Sequence, residues 1–189
     1  MSPSLGAINR AVLLACDAFV LPMSTDIFSL RATDNISSWL DKWTRVFKRN
    51  IEDFDTEELA ELEVRTKEWS LQLLGYVTQQ YNQKSTRGKK QAVESFEKII
   101  ARIPGKIEET LAKNVEQVEV KDFFLGTLPH LFSLVPMSQT AARPIHKLRA
   151  QDGIVGGHAN RVKAASELFA EISQNFLKNS RKISDEVAR

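Results

Sequence analysis

Three short runs of consecutive apolar residues punctuate the chain: Phe19-Val20-Leu21, Leu73-Leu74-Gly75-Tyr76-Val77 and Phe123-Phe124-Leu125-Gly126. Runs of this length without polar alternation are what strands covered on both faces require, as in parallel sheets. Between them the apolar positions recur at helical spacing. Leu5, Ile8, Val12 and Ala15 form a short amphipathic stripe behind a Pro3-Ser4-Leu5-Gly6 turn. Pro22 is expected to stop the first strand, and Ser24-Thr25-Asp26 offer caps for helix, in one piece or two, over 27–50. The stripe Ile36, Trp39, Leu40, Trp43 and Phe47 assigns that helix a core face.

Farther along, the acid-rich stretch 52–68 reads as a solvated helical face with Thr56 as its cap. The second strand spans 71–78. Val93, Phe96, Ile100 and Ile103 predict one helix, Pro104-Gly105 a turn, and 107–118 a further helix. A loop is expected over 130–138 and helix over 139–148, with Pro144 as an irregularity. The glycine-rich stretch 152–158 lacks both the G-x-G-x-x-G spacing and the lysine of a phosphate loop, and reads as a helix entry. Val162, Ala165, Phe169, Ile172 and Phe176 share one face of a final helix, after which 179–189 reads as a polar tail. Helices alternating with buried strands make this an α/β chain.

Composition narrows the class only slightly. At 42% hydrophobic and 26% charged, the 189 residues can build a real core and do not resemble a disordered segment. A net charge of +2 permits a polyanionic partner without demanding one. Cys16 is the single cysteine, which excludes an internal disulfide and suits a reducing, cytoplasmic setting. No stretch approaches the ~18 apolar residues of a membrane span, and the run before Cys16 is too short for a signal-peptide core of ~7 to 15 residues.

Familiar catalytic patterns are missing. His130, His146 and His158 lack metal-ligand spacing, and no serine sits in a G-x-S-x-G elbow, so no catalytic or metal residue is nominated. Lys84, Arg87, Lys89 and Lys90 form the densest basic cluster, around a Ser85-Thr86-Arg87-Gly88 turn. It is a candidate DNA-phosphate contact; a solvated loop is the plainer reading.

An ordered set of positions also resembles a known family. Pro3, Ser4, Leu5 and Gly6, then Asp17, Pro22, Asp26, Ser29 and Leu30, match the run that begins at switch II in the ParA partition ATPases, P-loop NTPases related to MinD. There the pattern is P-P-S-L-G, a helix, a strand ending in proline, and D/E-x-x-S/A-L. Gly75-Tyr76-Val77 resembles the next strand of that family, and Leu134-Val135-Pro136 with 141–145 resembles the loop and helix past its last strand. The family's K-G-G-x-G-K-S/T loop and its catalytic and Mg-binding carboxylates have no match.

The resemblance implies the later part of a P-loop NTPase three-layer fold, mostly parallel sheet with helices on both faces, as one incomplete domain over 1–178. Its parent function is ATP-dependent partition of plasmid or chromosomal DNA. The expected partners are non-specific DNA, a centromere-binding partition protein and a second copy of the chain. ATP and Mg belong to the full-length family, and neither is expected to bind this chain, which is expected to be inactive alone. By resemblance, Gln79, Pro136 and Met137 lie where the base is held, although Gln79 stands in place of the usual Asn and reads equally as a loop amide. Pro3 to Gly6 are the switch-like turn. The resemblance further implies that Met1 falls inside a longer reading frame and that a sheet edge near Val20 and Val77 is bared. A non-catalytic DNA- or partner-binding module derived from the same family is the second reading.

Overall fold

A computed structural model describes residues 11–61, 71–112 and 120–187, apart from 14, 82, 87, 88 and 93. Pro3 to Gly6 and Arg87 therefore lie outside the described residues. The chain is α/β. Strands β1 (Ala18–Ser24), β2 (Gln72–Tyr81) and β5 (Phe124–Pro129) form an open, fully parallel three-stranded sheet in the order β1-β2-β5. Each strand grows from one of the three apolar runs. Helix α1 (Ile27–Glu52) and the short α2 (Thr56–Glu61) follow β1; α3 (Glu94–Ile100) and α4 (Ile103–Thr110) follow β2; α5 (Leu134–Thr140) and the 31-residue α6 (Gly157–Val187) follow β5.

Pro22 does not end β1 but lies within it, exposed. Proline lacks a ladder donor and is tolerated on an edge strand, and β1 is an edge of this sheet. Of the two valines expected to be bared, Val77 is buried and Val20 half-buried. The difference follows from position, since β2 is flanked by strands on both sides.

Met23, Leu73 and Tyr76 from the sheet pack with Leu30 of α1, Ile103 and Ile107 of α4, Leu111 and Phe123. Burying each such aliphatic side chain stabilises the fold by roughly 1.5–3 kcal/mol. In α1 the fully buried positions are Leu30, Thr33 and Ser37, while Trp39, Trp43 and Phe47 of the expected stripe are half-buried. The two polar members are satisfied by backbone carbonyls, one local and one distant: Thr33 Oγ1 donates to Leu30 O at 2.7 Å and Ser37 Oγ to Thr110 O at 2.8 Å. The second bond ties α1 to α4. Trp39 and Trp43 instead stack on each other, one turn apart, at 6.2 Å.

The single helix expected through Ile103 is two, broken at 101–102. Pro104 and Gly105 lie inside α4, because a proline in the first helical turn forfeits no hydrogen bond. The cap of α2 is Asp55, not Thr56. Its Oδ1 accepts from Glu57 N and Glu58 N, and Glu58 Oε2 accepts from Asp55 N.

Helix α6 packs along β5 and β2. The approach is close: a Cβ on Gly126, whose φ is +149°, would lie 2.7 Å from Ile172 Cγ1. In place of a polar tail from 179, the helix continues to Val187. Asn179 is buried, and Lys182 Nζ reaches Asp122 Oδ2 at 3.0 Å.

Candidate functional site

In an open parallel sheet the strand ends point their free backbone groups at one crevice, where ligands bind outside the carboxyl ends. Here those ends are Ser24 on β1, Tyr81 on β2 and Pro129 on β5, with Gln79 two residues before the end of β2, in register with Ser24 on one side and Leu128 on the other. Just inside this end, Thr78 and Thr127 share a hydrogen bond between their hydroxyls at 2.7 Å, which pins β2 to β5.

The turn after β1 is fixed by the residues that carry the D-x-x-S pattern. Asp26 Oδ1 accepts from Ser29 N at 2.8 Å, capping α1, and Ser29 Oγ accepts from Ser24 N at 3.1 Å. Thr25 between them is buried. Asp26 and Ser29 thus have a local role, holding the exit of the edge strand against the start of the helix.

Beyond β5 the chain is loop over 130–133 as expected, but from Leu134 the rest of the expected loop is helical. Pro136 occupies the first turn of the seven-residue α5, where its missing N–H forfeits nothing. Pro136 and Met137 line a cavity of about 510 Å³ together with Ser133, Thr140, Ala141, Gln151 and Asp152. Leu134, Leu148 and Ile154 form the small core beneath it. Asp152 is held in place by Arg149 N, which donates to Oδ2 at 2.9 Å, and by the Arg143 guanidinium at 3.3 Å. The structure therefore brings two of the three expected base-site residues together, and Gln79 does not line this cavity. Gln151 and Asp152 are new members. Their only signal in the sequence is the local Arg149-x-x-Asp152 spacing, which lets the Asp152 carboxylate accept from the Arg149 N–H.

Two positively charged regions stand elsewhere. Lys84 lies on β3 (Gln83–Thr86) and Lys89 and Lys90 on β4 (Lys89–Ala92), an antiparallel hairpin separate from the main sheet. Ser85 pairs with Lys90 and Thr86 with Lys89. Ser85 and Thr86 of the expected turn are thus ladder residues of a ribbon, whose polar sequence offers no apolar alternation to reveal it. The second region is a cleft of about 540 Å³ between α1 and α4, lined by Arg31, Arg102 and Lys106 among others. Lys106 Nζ lies 2.6 Å from Asp34 Oδ1, and this hydrogen bond raises the ammonium above the ordinary lysine range.

No protein-family model matches this chain, and no curated protein matches it. A structural-genomics crystal structure of a protein from Corynebacterium diphtheriae is similar at a TM-score of 0.44 and 28% identity, over 69% of this chain and 42% of that one. The chain thus spans less than half the length of that neighbour.

Proposed function

We propose that this chain is the later portion of a ParA-like ATPase for plasmid or chromosome partition, carrying the DNA-facing and base-facing parts of such a protein. One observation carries the reading. The stretches that resemble the family's successive strands form neighbouring parallel strands in chain order, and the D-x-x-S pattern between the first two caps the connecting helix. A P-loop NTPase origin and helices on both faces of the sheet belong to this proposal.

The residues present do not fit the phosphates or the Mg of ATP, because the chain holds no glycine-rich loop with lysine. No step through ATP is therefore assigned to it. What its own residues supply is a pocket at Pro136 and Met137, Gln79 near the carboxyl end of β2, and the cationic hairpin. Lys84, Arg87, Lys89 and Lys90 would hold the backbone of duplex DNA without reading its sequence. A centromere-binding protein and a second copy would complete the assembly.

Titration of a random-sequence duplex at several salt concentrations tests the DNA-facing part. Each phosphate contact contributes a slope of ~0.9 in log affinity against log salt, so the Lys89→Ala, Lys90→Ala double variant should lower the slope by up to ~2. An unchanged slope would show the hairpin to be solvated only.

A further inference from the structure

Helices α1 and α4 run side by side in the same sense, and their polar contacts form a ladder. Ser37 Oγ donates to Thr110 O at 2.8 Å, and one turn earlier on each helix Lys106 Nζ meets Asp34 Oδ1 at 2.6 Å. Both rungs are attractive. One further turn toward the N-termini stand Arg31 on α1 and Arg102 at the N-cap of α4, and both line the cleft of about 540 Å³. This rung sets like charge beside like charge. Among the described residues neither guanidinium has an acidic partner: Asp34 and Glu109 both engage Lys106, and Asp26 caps α1. A cation at a helix N-terminus is also disfavoured by the macrodipole. Both arginines are exposed, so solvent screens their repulsion, but no contact within the fold accounts for the pair.

We propose that this cleft binds a small organic anion, with Arg31 and Arg102 holding its acidic head. Two guanidiniums without an internal counter-charge suit a doubly charged head, a phosphomonoester or a dicarboxylate, because their planar forks grip such oxygens in pairs. The ligand's charge completes the third rung of the ladder. Small-molecule sites have volumes in this range, and Ile27 and Leu30 give the cleft an apolar wall for the ligand's body. Gly105 keeps the space open: a Cβ there would meet no atom within 4 Å. The cleft shares no lining residue with the pocket at Pro136 and Met137, and it includes none of the hairpin cations. The site therefore stands apart from the partition reading.

The test is calorimetric titration of the 189-residue chain with phenyl phosphate and with phenylsuccinate, which present the two kinds of head on one ring, and with benzyl alcohol as the uncharged control. At least one acid should bind and raise the melting temperature, and the alcohol should do neither. In the Arg31→Gln, Arg102→Gln protein the affinity should fall about tenfold or more. Its melting temperature without ligand should equal or exceed that of wild type, because the like charges are gone. Gly105→Leu extends a side chain into open space, so this variant should fold and lose binding. Failure of wild type to bind either acid, or undiminished binding in either folded variant, would overturn the proposal and leave the partition reading standing. Binding lost instead in the Lys89→Ala, Lys90→Ala protein would place the anion at the hairpin and overturn it. Displacement of the bound acid by a random-sequence duplex would assign the arginines to DNA and overturn it as well.

Discussion

Asn179 donates its side-chain amide to the carbonyl of Leu74 at 2.8 Å, joining α6 to a strand residue 105 positions earlier in the chain. The same amide also reaches the carbonyl of Asp122, just before β5, and Asn175 donates to Leu125 O at 3.0 Å. A single buried side chain thus serves two backbone acceptors at the neighbouring strands β2 and β5. Asn179→Ala should lower stability by about 1–3 kcal/mol, because buried acceptors left without donors cost more than the net value of the bonds. Urea unfolding checks this: the midpoint should fall with the slope unchanged. A midpoint equal to wild type would mean that water or a relaxed helix replaces the amide.

Two glycine substitutions should differ in sign. At Gly75, φ is +151° and an added Cβ would meet the backbone oxygen of Phe123, which cannot swing aside, so Gly75→Ala should destabilise strongly, by ~2 kcal/mol or more. Gly105 lies in α4 with no atom within 4 Å of its Cβ position. Gly105→Ala should stabilise by about 0.5–1 kcal/mol through helix propensity. Thermal melts of the two variants, compared with wild type, decide both.

The strands were legible because continuous apolar runs such as Leu73 to Val77 have few alternatives to a covered strand. The capped start of α1 was legible in Asp26 and Ser29 for the same reason, since a local pattern makes a local structure. Long-range terms were not. Ser37 holds a buried place in α1 through the carbonyl of Thr110 on α4, so a polar residue occupies a position that hydrophobic periodicity gives to Trp39 or Trp43. Asn179 looks like the start of a solvated tail until β2 and β5 lie beneath it. At the candidate site, Pro136 and Met137 could be nominated by resemblance, whereas Gln151 and Asp152 could not.

Alkaline pH should weaken the fold through Tyr76. Burial disfavours its phenolate and pushes its pKa from 10.0 to about 12. The folded state therefore keeps the proton in a range where the unfolded state has lost it. The contribution is complete below about pH 10 and is lost as pH rises toward 12. Tyr76→Phe removes this dependence, so its stability relative to wild type should rise across that interval in denaturant titrations. Parallel curves for the two proteins would contradict the assignment.

Purified alone, the 189-residue chain should show no Mg-dependent ATP turnover, because its sequence holds no glycine-rich loop with lysine to gather the charge of a transferring phosphoryl group. A coupled phosphate-release assay with and without DNA checks this. Turnover that copurifies with the chain and disappears when the chain is removed by antibody would require a phosphate site formed by other means.

Inheritance in the native host tests the partition reading most directly. Cells in which the coding region of this chain is deleted should lose the linked plasmid, or produce cells without a chromosome, at a raised rate per generation. Restoring the region should return inheritance to normal, and restoring it with the Lys89→Ala, Lys90→Ala changes should do so only in part. Faithful segregation in the deleted strain, counted over many generations, would contradict the account.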